Sequence, residues 1–162
     1  MLTYEQIIQK TITLDDASKL FGSAFRSENK IVFTNGCFDI LHRGHIYLLS
    51  RARELGDLLV VGLNSDASVT KLKGPDRPVN SQESRAEVLG ALAFVDYIIV
   101  FEEDTPMDMI ITLEPDILVK GGDYKMEDIV GHREVSSTGG QVISIPLLEG
   151  YSSTAIIDRK NP

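Results

Sequence analysis

Lys30-Ile31-Val32-Phe33-Thr34-Asn35-Gly36-Cys37-Phe38-Asp39-Ile40-Leu41-His42-Arg43-Gly44-His45 changes its period partway along. Residues 30–34 are a short β-branched and aromatic run that breaks at Asn35-Gly36, the pattern of a strand ending in a turn. From Gly44 the apolar residues Ile46, Leu48, Leu49, Ala52 and Leu55 recur at helical spacing until Gly56 closes the run. A strand that passes through a glycine turn into a helix opens a βαβ unit.

The rest of the chain continues that alternation. Leu58–Leu63 is apolar throughout, as a strand covered on both faces must be. Tyr97–Val100, Ile117–Lys120 and Gln141–Ile145 read as further strands. Helical spacing predicts helices over 81–91, with Ser81 as cap, over Met107–Leu113, over 126–137 and at Ser153–Arg159. Upstream, residues 4–9 and 14–26 read as helices, the second capped by Thr13. The polar stretch Ser65–Asn80, with Gly74-Pro75 and Arg77-Pro78, reads as a long mobile cover without regular structure. Strands alternating with helices predict an α/β fold with a mostly parallel five-stranded sheet. In such sheets ligands bind beyond the carboxyl ends of the strands, here residues 34–45, 64–80, 101–105, 120–125 and 146–153.

The totals bound the function. A chain of 162 residues without a linker-like tract predicts one domain over 1–162, a helical lead-in at 1–29 and a catalytic core at 30–160. A net charge of -8 argues against nucleic acid as partner, though not against a small phosphorylated ligand inside one cleft. The single cysteine, Cys37, excludes an internal disulfide, and no spacing suggests zinc. The polar start and the lack of a run of about 18 apolar residues predict no membrane partner and a cytoplasmic location.

The turn at 34–45 carries the chemistry. Gly36 lets the chain turn and leaves backbone N–H groups exposed. His42 and His45, three apart, share one side of a helix that starts there. Gly44 between them lets a ligand approach the backbone, and first-turn N–H groups with the helix dipole favour an anion. The structural alternative is that His42 caps the helix and His45 packs on the sheet. Cys37 reads as packing, and Arg43 as solvent-facing or salt-bridged. Glu102-Glu103-Asp104 read as caps of a helix at Thr105 rather than as metal ligands. No Walker A string and no G-x-G-x-x-G fingerprint are present.

His42-Arg43-Gly44-His45 resembles the H-x-G-H signature of the nucleotidylyltransferase superfamily, and Thr34–His42 resembles its cytidylyltransferase-like branch. The likeness extends over roughly 14–160. It includes Asn64-Ser65-Asp66, Leu72-Lys73-Gly74-Pro75, Arg77-Pro78, Asn80, Arg85, Lys120-Gly121-Gly122-Asp123-Tyr124 and Tyr151-Ser152-Ser153-Thr154. Within the branch the chain is most similar to the adenylyltransferases of ADP-heptose synthesis. The resemblance implies a Rossmann-like three-layer α/β/α fold. It implies AMP transfer from ATP, with Mg²⁺ and no protein metal site, to D-glycero-D-manno-heptose 1-phosphate for lipopolysaccharide. His42, His45 and Lys73 would be catalytic. Thr34, Asn35, Gly36, Phe38, Gly44, Lys120, Gly121, Gly122, Asp123, Tyr151, Ser152, Ser153 and Thr154 would border the nucleotide. Asp39 would sit beside the acceptor or metal, and Arg77 and Arg85 would hold anionic groups. A homodimer and a separate upstream sugar kinase are also implied. The competing assignment is CTP with glycerol 3-phosphate. The ending Leu148-Glu149-Gly150-Tyr151-Ser152-Ser153-Thr154 departs from the Arg-Thr-x-Gly-Ile-Ser-Thr string of cytidylyltransferases, which favours heptose.

Overall fold

The computed structural model describes residues 2–158; Arg159 and Lys160 at the far end of the expected core lie outside the described residues. Five strands, β1 (Ile31–Gly36), β2 (Leu58–Asn64), β3 (Tyr97–Phe101), β4 (Ile117–Gly121) and β5 (Gln141–Ile145), pair in the order β3-β2-β1-β4-β5. Every pairing is parallel. The chain steps from β1 to β2 on one side and returns to β4 on the other, so the switch in strand order falls between β1 and β4. That is where an open α/β sheet leaves its crevice.

Alternation along the strands builds two cores. Leu58 and Val60 face one layer, and Leu59, Val61 and Leu63 face the other. The first layer contains α2 (Leu14–Leu20), α7 (Met107–Leu113) and α8 (His132–Ser137), with Ala17, Met109, Ile110, Leu113 and Val135 packed around Phe33. The second contains α4 (Arg43–Arg53) and α6 (Gln82–Gly90), which bury Leu48, Leu49, Ala52, Ala86 and Leu89. This is the three-layer α/β/α arrangement with a parallel five-stranded sheet. The lead-in helix α1 (Tyr4–Gln9) is followed by a bridge from Thr11 to Ile98 at the β3 edge.

Two helix expectations and one loop expectation need correction. The helix expected over 14–26 is two, α2 and α3 (Ser23–Glu28), because the chain leaves the helical region at Phe21 and restarts at Gly22. The helix expected over 126–137 is a 3₁₀ turn, Met126–Asp128, and then α8. The two are separated by Gly131 at φ 89, where a Cβ would lie 2.5 Å from Ile110 Cδ1. The segment Ser65–Asn80 is no structureless cover. Asp66–Lys73 forms α5, capped by Ser65 Oγ accepting from Ser68 N. The remainder is tied down by Thr70 Oγ1 donating to Arg77 O at 2.7 Å. The last helix, α9, is Ser153–Asp158. Among the described residues no helix is long and apolar enough to cross a membrane.

Candidate active site

The end of β1 and the start of α4 form the floor of a cleft of about 290 Å³, lined by Phe38, His42, Gly44, His45, Arg77 and Tyr151 among others. His42 is the N-cap of α4: its Nδ1 accepts the Gly44 N–H at 3.1 Å. That bond fixes the tautomer. With Nδ1 as acceptor, the neutral ring carries its proton on Nε2, leaving one N–H donor available to a ligand. The capping and ligand-binding readings of His42 are therefore compatible. Gly44 sits in close approach: a Cβ there would lie 3.0 Å from the His42 ring and 3.3 Å from Tyr151 Cβ, so either neighbour would have to shift by a few tenths of an ångström.

His45 stacks on His42 with ring centroids 3.8 Å apart, and Phe38 meets it edge-on at 5.0 Å. Burial, and secondly the neighbouring His42, push the His45 pKa down to about 4. Burial lowers His42 as well. Both rings are therefore neutral at pH 7, so what they can offer a ligand is an N–H donor rather than a positive charge.

The sign of the pH effect follows. A histidine whose folded pKa lies below its unfolded value near 6.5 stabilises the fold fully above that value, and the contribution is lost as pH falls towards 4. We expect the wild type to lose roughly 2 kcal/mol on this account between pH 7 and 5. His45→Asn should lack that part of the loss. Urea denaturation of both proteins at the two pH values tests it, and parallel losses would refute it.

Two charged side chains expected at the substrate have their charges taken up by the protein itself, although Asp39 still lines the histidine cleft. Asp39 is 1% exposed, and its carboxylate accepts from Arg77 Nε at 2.5 Å, Val79 N at 2.7 Å and Asn80 N at 3.1 Å. Burial alone raises its pKa, but the Arg77 bond and the two backbone donors outweigh it and hold the carboxyl below the usual range. Asp39 staples residues 77–80 to the turn, and with three of its roughly four lone-pair sites occupied it has one left for a ligand. Arg85 is 2% exposed. It donates to Asn80 O at 3.0 Å, Cys37 O at 2.6 Å, Asn64 O at 2.8 Å and Asp66 Oδ1 at 2.7 Å, which makes it scaffold. Arg77 does line the histidine cleft.

Other expectations change place. Thr34 is fully buried beneath α4, on the same face as Val32, and does not reach the cleft. Of the string Lys120–Tyr124, Lys120 and Tyr124 line a second cleft, about 360 Å³, and not the histidine cleft. Gly121 packs against Leu48 and Leu147, while the Gly122 N–H donates to Ile145 O at 2.9 Å. Asp123 is exposed. Asn35 and Gly36 also belong to the second cleft. Tyr151, Ser152 and Ser153 line the histidine cleft, Ser153 Oγ donating to Ile40 O at 3.1 Å; the Thr154 side chain lies outside the described residues.

Arg43 is solvent-exposed, in line with the expectation, and on that surface it donates to Tyr151 OH at 3.2 Å and lies 5.6 Å from that ring's centroid. The acidic residues do not cap α7, whose N-cap is Pro106; Asp104 pairs with Lys71 instead.

The two clefts meet at Cys37 and Lys73, which line both. Sequence reasoning assigned Cys37 to packing and missed this. Its place one residue past the β1 turn was the available signal. Burial raises the Cys37 pKa, so the thiol stays protonated at neutral pH and is a poor nucleophile. Among the described residues no three His, Cys, Asp or Glu side chains converge to hold a metal ion.

A parallel sheet with a neutral histidine pair at a helix N-terminus, facing two joined clefts at the switch point, defines a nucleotidyltransferase-type α/β protein. The chain belongs to the cytidylyltransferase-like family, whose sequence profile matches residues 33–159. The bifunctional protein HldE of Syntrophotalea carbinolica is 58% identical over 134 residues, 83% of this chain and 27% of that protein. The bifunctional protein HldE of Nitrobacter hamburgensis is 52% identical over 156 residues, 96% of this chain and 31% of that protein. The chain thus spans under a third of the length of these two relatives. Among solved structures, the lipopolysaccharide core biosynthesis protein from Thermoplasma volcanium superposes with TM-score 0.62 at 30% identity, covering 76% of this chain and 99% of that one. Pantothenate synthetase from Thermus thermophilus, at 16% identity and TM-score 0.63 over 93% of this chain and 70% of that one, shares the fold alone.

Proposed function

We propose that this chain transfers AMP from ATP to D-glycero-D-manno-heptose 1-phosphate, giving ADP-heptose and pyrophosphate. The observation that carries the reading is the pair of clefts joined at Cys37 and Lys73. ATP takes the histidine cleft and the sugar phosphate takes the other, so the reacting phosphates meet at the junction. A phosphate oxygen of the acceptor attacks the α-phosphorus in line. The bond from that phosphorus to the bridging oxygen breaks, and pyrophosphate leaves with the electron pair. The protonated Cys37 supports direct transfer without a covalent enzyme intermediate.

His42 Nε2–H and the His45 ring donate to the triphosphate, and Gly44, Phe38, Tyr151, Ser152 and Ser153 surround the nucleotide. Such pre-aimed donors carry most of the catalysis in phosphoryl-type transfer. The residues do not fit a protein-held metal, so Mg²⁺ enters as the counter-ion of ATP. The likeness to ADP-heptose adenylyltransferases and the name of the Thermoplasma relative favour heptose and a route to lipopolysaccharide. The same reading makes the protein a cytoplasmic homodimer fed by a sugar-phosphorylating reaction.

Pyrophosphate release measured across ATP, CTP, GTP and UTP, each with heptose 1-phosphate or glycerol 3-phosphate, tests the reading. ATP with heptose 1-phosphate should give the highest kcat/KM, and a preference for CTP with glycerol 3-phosphate would overturn it.

Lys73 and its neighbour Lys71 separate a site role from surface charge. Lys71 pairs with Asp104 at an exposed position, a contact worth little. Lys73 lines both clefts. Lys73→Ala should lower turnover by more than about tenfold, the cost of a charge-assisted contact, while Lys71→Ala stays close to the parent. Equal activities would make the end of α5 a bystander.

A further inference from the structure

Lys120 stands at the end of β4 on the wall of the second cleft, and its Nζ donates to Asn35 Oδ1 at 3.2 Å. Asn35 comes from β1, so the contact bridges the two strands that flank the switch point. In a chain of net charge -8, cations are normally taken up by carboxylates. None of the ion pairs among the described residues involves Lys120 or Lys73. Both lysines line the second cleft together with Cys37, one from β4 and one from α5. Cys37 is also where the two clefts join. Two cations without carboxylate partners therefore share the wall of the cleft that opens at the point through which a transferred group must pass.

Burial lowers the Lys120 pKa. An ammonium held with a single neutral acceptor is in an unfavourable state that an arriving anion relieves. The carboxylates on the same cleft, Asp104 and Asp128, do not fill that role: Asp104 is taken by Lys71, and Asp128 forms no ion pair with Lys120. We propose that Lys120, in the same cleft as Lys73, binds the phosphate of the acceptor near Cys37 and so determines that this cleft accepts phosphorylated rather than free sugars. The assignment rests on the reading that the second cleft receives the acceptor, and it removes Lys120 from the nucleotide side.

The test compares wild type, Lys120→Met and Lys120→Arg, each first checked for a native melting transition. The acceptor KM of Lys120→Met should rise roughly 10- to 100-fold, the loss expected for one charge-assisted hydrogen bond, with the ATP KM within about threefold. Lys120→Arg should recover much of the loss, which a packing role would not allow. Inorganic phosphate should compete with the acceptor in wild type and far less in Lys120→Met. A raised ATP KM with an unchanged acceptor KM overturns the proposal by returning Lys120 to the nucleotide. Undiminished phosphate competition overturns it by leaving the lysine only sugar hydroxyls to contact. If Lys120→Met does not fold, the arginine variant decides: an acceptor KM and phosphate competition near wild type support the proposal, and loss of both with a native melt overturns it. Should wild type use glycerol 3-phosphate instead of heptose 1-phosphate, the heptose reading fails, and the same comparison with glycerol 3-phosphate still decides the role of Lys120.

Discussion

Replacing His42 or His45 by alanine lowers kcat roughly 100- to 1000-fold, the cost of removing one well-placed transition-state donor. The expectation rests on the protonation state that the fold imposes. His42 gives its Nδ1 to the Gly44 N–H, so Nε2 is left as the donor. His45 is held neutral by burial and by His42 stacked against it. A donor that is already oriented and already neutral need not reorganise as charge develops on the departing pyrophosphate. The two variants differ in stability. His42→Ala also removes the cap of α4 and should cost about 1 kcal/mol. His42→Asn, which keeps a capping side chain, isolates the lost donor from the lost cap. Steady-state pyrophosphate release together with thermal melts separates these effects. A histidine variant within threefold of the parent has no place in the chemistry.

The strands were legible because each combines a continuous apolar run with a turn signal. Leu58–Asn64 is buried at every position, and a two-sided sheet is the only economical way to bury such a run. Helix α5 was not legible. Of its eight residues only Ser68 and Val69 are buried, so it shows little amphipathic pattern, and Gly74-Pro75 and Arg77-Pro78 just beyond it read as loop chemistry. The break at Phe21-Gly22 was hidden for the opposite reason: Ala17, Phe21 and Phe25 keep their helical spacing while the backbone between them turns.

The site divides along similar lines. Histidines tied to a local strand-to-helix junction are read from one stretch of sequence, and the geometry agrees with that stretch. The orientation of Lys120 was not readable, because which face of β4 opens on which cleft depends on how β1 and β4 pair. Charged side chains were the least readable class. A guanidinium near a phosphate site and a guanidinium holding that site together have the same letter. Only the partners distinguish them, and those of Arg85 lie 5, 19, 21 and 48 residues away.

That distinction makes Arg85→Met the most damaging single change expected in the scaffold. The side chain is 2% exposed and holds three backbone carbonyls, those of Cys37, Asn64 and Asn80, together with the Asp66 carboxylate. Asp66 is 42% exposed and can be hydrated when the arginine goes, so its loss is discounted. Asn80 is exposed and Cys37 half-buried, so water replaces part of what their carbonyls lose, whereas the buried Asn64 carbonyl has no such recourse; a buried acceptor left unpaired costs about 1–3 kcal/mol. One full penalty and two reduced ones come to roughly 2–4 kcal/mol, a large fraction of the 5–15 kcal/mol that holds a typical domain together. For a chain of this size it corresponds to a fall in Tm of roughly 5–15 °C. Arg85→Lys should rescue little of it, because one ammonium cannot reach four acceptors spread around a planar fork. At low temperature, where the variant still folds, KM should suffer as well, since Cys37 and Asn64 both line the second cleft. Differential scanning calorimetry with parallel kinetics decides between scaffold and ligand contact. If Arg85 bound an anionic substrate directly, Arg85→Met would keep its Tm within about 3 °C of the parent and lose affinity alone, and the scaffold assignment would have to be abandoned.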